Sequence, residues 1–281
     1  MKVLIVGLGL IGGAYAKKLT ELGYEVYGVN HRQKAIDFAV ENNYIIEGST
    51  DARKYIPLVD MIIIATYPSH IINFLDENKD MFRDDLLITD VTGVKSNYIV
   101  EATKLSKPAT YLAHHPMAGR EKKGIEFASE VSFNNANLII TPVNGFDYEE
   151  KYFDILKKLG RDLKFKNISV LDSDSHDFMI GYTSQLAHAI AVSLVNSDTK
   201  ENTKLFIGDS YRDLTRIAMI NEVMWSELFF ENKKYLLENI NNFMNQLNKL
   251  KETLENNDPD GLKELFINST KIRKEMEKWE N

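Results

Sequence analysis

Short apolar runs alternate with amphipathic stretches in the first part of the chain. The runs lie at residues 3–6, 25–29, 61–65, 86–90, 111–113 and 137–141, and a last strand-like piece lies at 164–170. Several segments between them have the spacing of apolar positions that is typical of helices. This alternation predicts an α/β fold whose mostly parallel sheet is covered by helices on both faces.

The pattern changes at the polar cluster 172–175, which predicts a helix cap or a linker. No segment from residue 175 to residue 279 has the pattern of a strand. Residues 178–195 are apolar and rich in small side chains, as in a fully buried helix. Residues 222–254 also have helical spacing, and Asp258 opens a final helix. We therefore predict an α/β domain at 1–171 and an all-α domain at 172–281.

A Gly-x-Gly-x-x-Gly turn follows the first strand and precedes a helix and a second strand. Gly7 permits the tight turn, Gly9 lets a pyrophosphate approach the backbone, and Gly12 lets the helix pack on the sheet. The first domain is therefore predicted to be a Rossmann-type dinucleotide-binding domain, although a plain strand-turn-helix remains the alternative. The residues predicted to contact the cofactor here and after the strand at 61–65 are Gly7, Leu8, Gly9, Leu10, Ile11, Gly12, Ala65 and Thr66.

The second strand ends in Asn30, His31 and Arg32, where an NAD-binding domain commonly has an acidic residue. Asn30 is able to bond a ribose hydroxyl, and Arg32 with His31 is able to hold a 2′-phosphate. The absence of a repelling carboxylate favours NADP slightly, with NAD also possible. The alternative for Arg32 is a solvated arginine at the start of a helix.

The bulk properties narrow the class of protein. A chain of 281 residues is long enough for two domains, and its net charge of −7 argues against a nucleic-acid partner. It has no cysteine, so it forms no disulfide or thiolate metal site, and no metal is predicted. No apolar run approaches the roughly 20 residues of a membrane helix. The chain begins directly with the first strand, so we expect no leader, no membrane and a cytoplasmic location.

Two polar residues follow predicted strands at the edge where ligands bind in open α/β sheets. Thr92 comes after the strand at 86–90 and places a hydroxyl there. His115 comes after the strand at 111–113, and histidine suits proton transfer near neutral pH. An ordinary turn and a structural loop histidine are the alternatives.

The helical domain offers His188 and Arg216. His188 lies on an otherwise apolar helix, where a hydrogen-bonded core histidine is the simpler interpretation. Arg216 equally fits an ion pair with Asp213 or Asp209. A long buried helix in so small a domain also predicts that a second subunit covers it, as in a homodimer. From the residues alone, the chain is predicted to be an NAD(P)-linked, dimeric, two-domain enzyme.

The chain resembles the prephenate/arogenate dehydrogenase family of tyrosine biosynthesis over nearly its whole length. Each motif is modest, but their order and spacing together are specific. They are Gly7-Leu8-Gly9-Leu10-Ile11-Gly12-Gly13, Asp90-Val91-x-x-Val94-Lys95, His115-Pro116-Met117-Ala118-Gly119, His176-Asp177, Ser184-x-Leu186-x-His188, Asp213-Leu214-Thr215-Arg216-Ile217-Ala218, Met224-Trp225 and Glu231-Asn232-Lys233.

The resemblance implies oxidative decarboxylation of a cyclohexadienyl acid, in which hydride leaves ring C4 for the nicotinamide and CO2 leaves C1. His115 matches the histidine that bonds the ring 4-hydroxyl, and Arg216 matches the arginine that binds substrate carboxylate. His188 and Trp225 match residues that line the pocket, Trp225 from either subunit. Arg120 is placed to pair with the side-chain carboxylate. With Met117, it completes the residues implied to bind substrate.

Departures from the family bear on the substrate. Many relatives have Gly-Ser where this chain has Thr92-Gly93, so the hydroxyl partner of His115 is either Thr92 or missing. Asp209 offers a carboxylate to an ammonium, which only arogenate has, whereas residues 133–141 lack the Asp that arogenate users often carry there. The balance favours prephenate over arogenate. A 3-hydroxyacid or imine dehydrogenase and a non-enzymatic NAD(P)-binding sensor are the remaining alternatives.

Overall fold

The first part of the chain forms a six-stranded parallel sheet. The structure is a computed structural model that describes residues 1–119 and 122–277. The strand order is β3-β2-β1-β4-β5-β6, so the chain crosses over after β3. The strands are β1 (Lys2–Val6), β2 (Glu25–Val29), β3 (Glu47–Ser49), β4 (Met61–Ile64), β5 (Leu87–Asp90) and β6 (Thr110–Tyr111).

Both faces of this sheet are buried. Val3 and Ile5 of β1 belong to one hydrophobic cluster, and Leu4 and Val6 belong to another. The helices of this region are α1 (Leu10–Glu21), α2 (Gln33–Glu41), α3 (Pro68–Asn78), α4 (Ile99–Leu105) and α5 (Glu150–Asp162). The predicted Rossmann-type arrangement is therefore confirmed. The sequence pattern missed β3, because its three residues include only polar side chains and a glycine.

A second sheet carries the two adjacent histidines. It consists of β7 (Ala113–Pro116), β8 (Asn137–Thr141) and β9 (Asn167–Val170) in the order β7-β8-β9. β7 is antiparallel to β8, with His115 opposite Ile139. The predicted strand at 111–113 is therefore wrong in its bounds. The chain leaves the first sheet after Tyr111 and enters the second, so the histidines lie within a strand rather than after one.

The regular elements of the described residues from Ser173 onward are helices, as predicted. They are α6 (Ser173–Ile180), α7 (Leu186–Asn196), α8 (Asp209–Thr215), α9 (Glu222–Glu231), α10 (Lys233–Glu255) and α11 (Pro259–Glu277). The Asp172 carboxylate accepts a hydrogen bond from the Ser175 N–H at 3.0 Å, which confirms the predicted cap. The chain forms two compact units, one of residues 1–232 and one that begins at Lys233.

A π-helical turn at Gly181–Gln185 joins α6 to α7 in one run, Ser173–Asn196. Within the described residues this run alone is long and apolar enough to cross a membrane, with a mean hydropathy of 1.4. The expectation that no segment has this character is therefore corrected. The expectation of a fully buried helix is also wrong for the single chain, because Met179 and Tyr182 are 46% and 50% exposed.

Candidate active site

The glycine turn has the shape that a dinucleotide pyrophosphate requires. Gly7 has φ +98°, and a Cβ there would lie 2.6 Å from the carbonyl oxygen of Ala65. A Cβ on Gly12 would lie 1.9 Å from the Gly7 carbonyl oxygen, whereas one on Gly9 would meet nothing within 4 Å. Gly9 is also the N-cap of α1 and has no side-chain cap. The backbone N–H groups at this helix start are therefore suited to phosphate.

Asn30 braces the same turn from the end of β2. Its Oδ1 accepts the Leu8 N–H at 3.2 Å, and its Nδ2 donates to the Arg32 carbonyl oxygen at 3.3 Å. His31 and Arg32 are exposed beside it, and Arg32 is the N-cap of α2. The structure thus gathers the predicted cofactor residues around one turn, with Ala65 and Thr66 packed against Gly7.

Asp90 is the centre of a buried polar network at the end of β5. Its Oδ1 accepts hydrogen bonds from the Lys95 ammonium at 2.5 Å and from Tyr98 at 2.9 Å, and its Oδ2 accepts from Tyr111 at 2.7 Å. Burial alone would raise the pKa of Asp90, but Lys95 and the hydrogen bonds hold that pKa below its ordinary value. Asp90 is therefore a buried anion, which Lys95 balances.

Thr92 belongs to this network and not to a ligand-facing surface. Its hydroxyl lies 2.6 Å from Asp90 Oδ1 and 2.8 Å from the Val94 carbonyl oxygen, and it also bonds Tyr98. A hydroxyl has one proton to donate, so these acceptors already compete for it. The expectation that Thr92 meets cofactor, substrate or His115 is corrected on this ground.

Gly93 is the residue of that loop that approaches His115. A Cβ placed on Gly93 would lie 3.8 Å from both Cε1 and Nε2 of the His115 ring. The sequence left two alternatives for the hydroxyl partner of His115, which were Thr92 or none. Among the described residues, no hydroxyl bonds His115, so the second alternative holds.

His114 and His115 face different environments, as neighbours on a strand do. His114 is fully buried between the Tyr15 hydroxyl at 2.8 Å and the Thr89 hydroxyl at 2.7 Å. Burial, with a smaller contribution from the Lys95 charge, lowers the pKa of His114 to about 3. His114 is therefore a neutral structural bridge between α1 and β5.

His115 is the first member of a chain of three side chains. Its Nδ1 lies 2.9 Å from Nε2 of His176, and Nδ1 of His176 lies 2.7 Å from Oδ1 of Asp177. Burial lowers the pKa of His115 well below its ordinary value, and the neighbouring His176 lowers it further. His115 is half-buried, and none of the described residues hydrogen-bonds its Nε2. A neutral imidazole with one uncommitted nitrogen suits proton acceptance from a ligand.

The Asp177 carboxylate is held by the loop that follows β5. It accepts the Lys95 N–H at 2.9 Å and the Ser96 N–H at 2.6 Å. The buried Asn232 donates to the Asp177 carbonyl oxygen at 2.8 Å and to Gln185 Oε1 at 2.7 Å. From the sequence, His176-Asp177 was one of several polar groups that the helical domain offers and a motif of the family, and no role was predicted for it. Its one local signal was an acid beside a histidine near a predicted helix start.

Two of the predicted pocket residues meet in the helical region. The rings of His188 and Trp225, in the same chain, have centroids 3.8 Å apart and an interplanar angle of 31°. His188 Nδ1 lies 2.9 Å from the Ser184 carbonyl oxygen, which only accepts, so Nδ1 donates this hydrogen bond. An open apolar groove of about 270 Å³ borders Trp225.

The other predicted residues are less closely joined to this cluster. Met117 follows β7 and is 36% exposed, and Arg216 is exposed at the end of α8. Arg120 lies outside the described residues. Asp209, considered for an ammonium group, forms an ion pair with Arg212 at 2.8 Å.

Helix α9, which carries Trp225, is hydrogen-bonded to the start of α3 and to the loop after β5. The Glu227 carboxylate accepts the Ser69 N–H at 3.0 Å, in the first turn of α3. The Asn97 amide donates to the Glu231 carbonyl oxygen at 2.6 Å. Helix α9 is therefore in direct contact with elements of the Rossmann-type region within the first compact unit.

A Rossmann-type sheet with a fitting phosphate turn, joined to helices through an acid–histidine–histidine chain, defines an NAD(P)-dependent dehydrogenase. The family description "Prephenate dehydrogenase, nucleotide-binding domain" matches residues 15–168, and "Prephenate dehydrogenase, dimerization domain" matches residues 172–268. The chain belongs to the prephenate dehydrogenase family. This membership sets aside both the hydroxyacid or imine dehydrogenase alternative and the non-enzymatic sensor.

Similar proteins agree with this assignment. Prephenate dehydrogenase of Lactococcus lactis is 30% identical over 98% of this chain and 77% of its own length. Prephenate dehydrogenase of Bacillus subtilis is 29% identical over 94% of this chain and 73% of its own length. The crystal structure of prephenate dehydrogenase from A. aeolicus, with hydroxyphenyl propionate and NAD+, has a TM-score of 0.86 and 27% identity, and covers 98% of both chains.

Proposed function

We propose that this enzyme oxidises prephenate to 4-hydroxyphenylpyruvate and CO2, with hydride transfer to NAD(P), in tyrosine biosynthesis. The observation that carries the proposal is Nε2 of the half-buried His115, which no described residue hydrogen-bonds and which faces the loop after β5. The bound nicotinamide supplies the hydride acceptor. The glycine turn 7–12 would hold its pyrophosphate, because the space beside Gly9 is open.

The chemistry assigned to the chain is hydrogen-bond acceptance and charge placement. His115 Nε2 accepts the proton of the ring 4-hydroxyl as the C4–H bond breaks, so electron density moves toward C4. The C1–carboxylate bond then breaks, its electron pair completes the aromatic ring, and the 4-hydroxyl recovers its proton. No net proton is exchanged, and aromatisation supplies the driving force. The protein mainly orients the ring and stabilises charge.

Two arginines, one from each predicted domain, are proposed to bind the substrate's carboxylates. Arg216 is proposed to pair with one carboxylate, and Arg120 with the side-chain carboxylate. The adjacent rings of His188 and Trp225 suit a pocket wall for a six-membered ring. Met117 is proposed to lie at the edge of this pocket.

Prephenate is proposed over arogenate because of Asp209. Arogenate has an ammonium group where prephenate has a keto group, so its recognition needs an acceptor or carboxylate. Asp209 already bonds Arg212 on an exposed face of α8. This pairing leaves Asp209 less suited to bind a substrate ammonium.

NADP is proposed as the slightly preferred cofactor, a homodimer as the assembly and the cytoplasm as the location. Asn30 carries no charge that would repel a 2′-phosphate, and Arg32 beside it is exposed and makes no ion pair among the described residues. The apolar exposed face of Ser173–Asn196 supports a second subunit there, in agreement with the description of the family's dimerization domain.

One assay tests the proposed reaction. The purified protein is mixed in turn with prephenate and arogenate, each with NAD and with NADP, and the absorbance of the reduced nicotinamide is followed. We expect turnover with prephenate, with CO2 released in equal amount, and a lower kcat/KM for arogenate. Faster turnover of arogenate would overturn the substrate assignment, and no turnover of either acid would overturn the function.

A further inference from the structure

We propose that Asp177 and His176 are positioning residues that hold His115 in the tautomer with its proton on Nδ1 and a lone pair on Nε2. The inference deepens the proposed function and rests on it, since that function requires an acceptor at Nε2. It starts from the two short contacts of 2.9 Å and 2.7 Å that join the three side chains.

The order of donors follows from the chemistry of each group. An ionised carboxylate only accepts, so Nδ1 of His176 must donate to Asp177. His176 is fully buried, and Asp177 also accepts two backbone N–H groups. Neutral His176 then has a lone pair on Nε2, and Nδ1 of His115 must donate to it. The only nitrogen of His115 left to accept is Nε2.

This arrangement works against the preference of free imidazole, which favours the proton on Nε2. The charged and titratable groups around His115 are His114 on its own strand, Lys95 on the loop after β5, and the His176–Asp177 pair on α6. His176 is the one among them that bonds the ring of His115 directly. The tautomer is therefore set by α6 and not by the strand that carries His115.

The same contacts join regions that are far apart in sequence. His115, Lys95 and Ser96 lie in the predicted domain 1–171, whereas His176 and Asp177 lie in the predicted domain 172–281. Asn232 adds a hydrogen bond to the Asp177 carbonyl oxygen at the end of α9. His115 thus becomes a correctly oriented acceptor only when α6 is seated on the loop after β5.

Nitrogen-15 NMR of the free protein, labelled at histidine, tests the tautomer without substrate or cofactor. We expect the unprotonated nitrogen of His115 to be Nε2, with exposed His31 and His70 as references for unconstrained rings. A proton found on Nε2 of His115 near neutral pH would overturn the inference. This readout stands even if the protein fails to oxidise prephenate, so failure of the proposed function is seen separately.

A matched pair of variants tests the role of His176. The Gln oxygen in His176→Gln is able to take the position of Nε2 and accept from His115, whereas the shorter side chain in His176→Asn is not. We expect His176→Asn to lower kcat by at least ~10²-fold with KM for prephenate little changed, and His176→Gln to stay within about 10-fold of the original enzyme. Equal losses in both variants would contradict the positioning role.

Asp177→Asn tests whether Asp177 sets the direction of the hydrogen bonds that join it to His176 and His115. Its amide can donate to Nδ1 of His176, which moves the proton to Nε2 of His176 and then to Nε2 of His115. The analogous Asp→Asn change in serine proteases lowers kcat by ~10⁴-fold through the wrong tautomer. We expect a large loss in kcat, unchanged cofactor affinity and an inverted nitrogen pattern at His115. An unchanged pattern would overturn the proposal; if the variant does not fold, the NMR of the original protein and the His176 pair still decide.

Discussion

The hydroxyl of Thr92 lies 2.6 Å from Oδ1 of Asp90, in a network that is closed to solvent. Asp90 sits at the end of β5, and its charge is balanced by the buried Lys95. Thr92 therefore stabilises a buried anion beneath the site, while Gly93 is the residue beside His115. In this one loop, Thr92 is therefore expected to affect stability, and Gly93 is expected to affect the proposed reaction.

Thr92→Val removes the hydroxyl at nearly constant shape. We expect the free energy of unfolding to fall by about 1–3 kcal/mol, because Asp90 loses a buried donor, with little change in kcat. Gly93→Ala is the matched change, since its methyl group would lie 3.8 Å from Nε2 of His115. It should lower kcat/KM with little loss of stability. Urea unfolding and steady-state kinetics compare the two, and a large kcat loss in stable Thr92→Val would contradict the assignment.

His115 is expected to be needed for chemistry more than for binding. His115→Asn should lower kcat by at least ~10²-fold, the usual scale for lost acid–base assistance, with KM little changed. The active form is the neutral ring, and burial holds the pKa of His115 well below its ordinary value. The kcat/KM of the original enzyme should therefore stay level from pH 8 to below pH 6.5 and fall only in more acidic solution. Near-normal kcat in the variant would remove His115 from the mechanism.

His114 is expected to make the fold sensitive to mild acid. Its pKa is about 3 in the folded protein against 6.5 for an ordinary histidine. The lowered pKa contributes to the free energy of unfolding. That contribution is fully present above pH 6.5 and is lost as pH falls toward 3, because in this range only the unfolded chain takes up the proton. From pH 8 to pH 5 the loss is about 2 kcal/mol. The side chain in His114→Gln does not titrate. The difference in free energy of unfolding between this variant and the original protein should therefore change by about 2 kcal/mol between pH 8 and pH 5. A difference that stays constant with pH would contradict the prediction.

Cofactor preference is expected to depend on Arg32. Arg32→Ala should weaken NADP much more than NAD, since only NADP has the 2′-phosphate, and a charge-assisted hydrogen bond contributes ~1.5–3 kcal/mol. Asn30→Asp should shift preference toward NAD by adding an acceptor for the ribose and repelling phosphate. The ratio of kcat/KM for the two cofactors measures both effects. A ratio unchanged by Arg32→Ala would show that this residue is only a solvated arginine.

The exposed face of Ser173–Asn196 is expected to lie in a homodimer interface of at least ~2,000 Å², the size typical of obligate pairs. Tyr182→Glu places a charge on that face and should produce monomers in sedimentation experiments at micromolar concentration. Val40→Glu is the control, because Val40 is similarly exposed, at 41%, on α2 of the nucleotide-binding region. A stable monomer of the original protein would contradict the prediction.

The sequence by itself determined the features that depend on near neighbours. The glycine spacing at 7–12 predicted the turn at Gly7, which has positive φ, and the close approach of Gly12 to the Gly7 carbonyl oxygen. The cap at Asp172 and the change from alternating to purely helical patterns after it are equally local, and the described structure confirms them. The β6–β7 break was missed, because a change of sheet leaves no periodic signal in so short a segment.

The orientation of the proposed catalytic groups was decided only by the tertiary structure. His115 and His176 are 61 residues apart, and Lys95 and Asp177 are 82 apart, yet each pair is joined by a hydrogen bond. Local patterns carry no information about such pairings, because they arise when α6 packs on the loop after β5. For the same reason the sequence predicted a ligand-facing hydroxyl at Thr92, whereas in the structure this hydroxyl bonds the buried Asp90. Which side chain meets which is a property of the packed elements, not of the spacing along the chain.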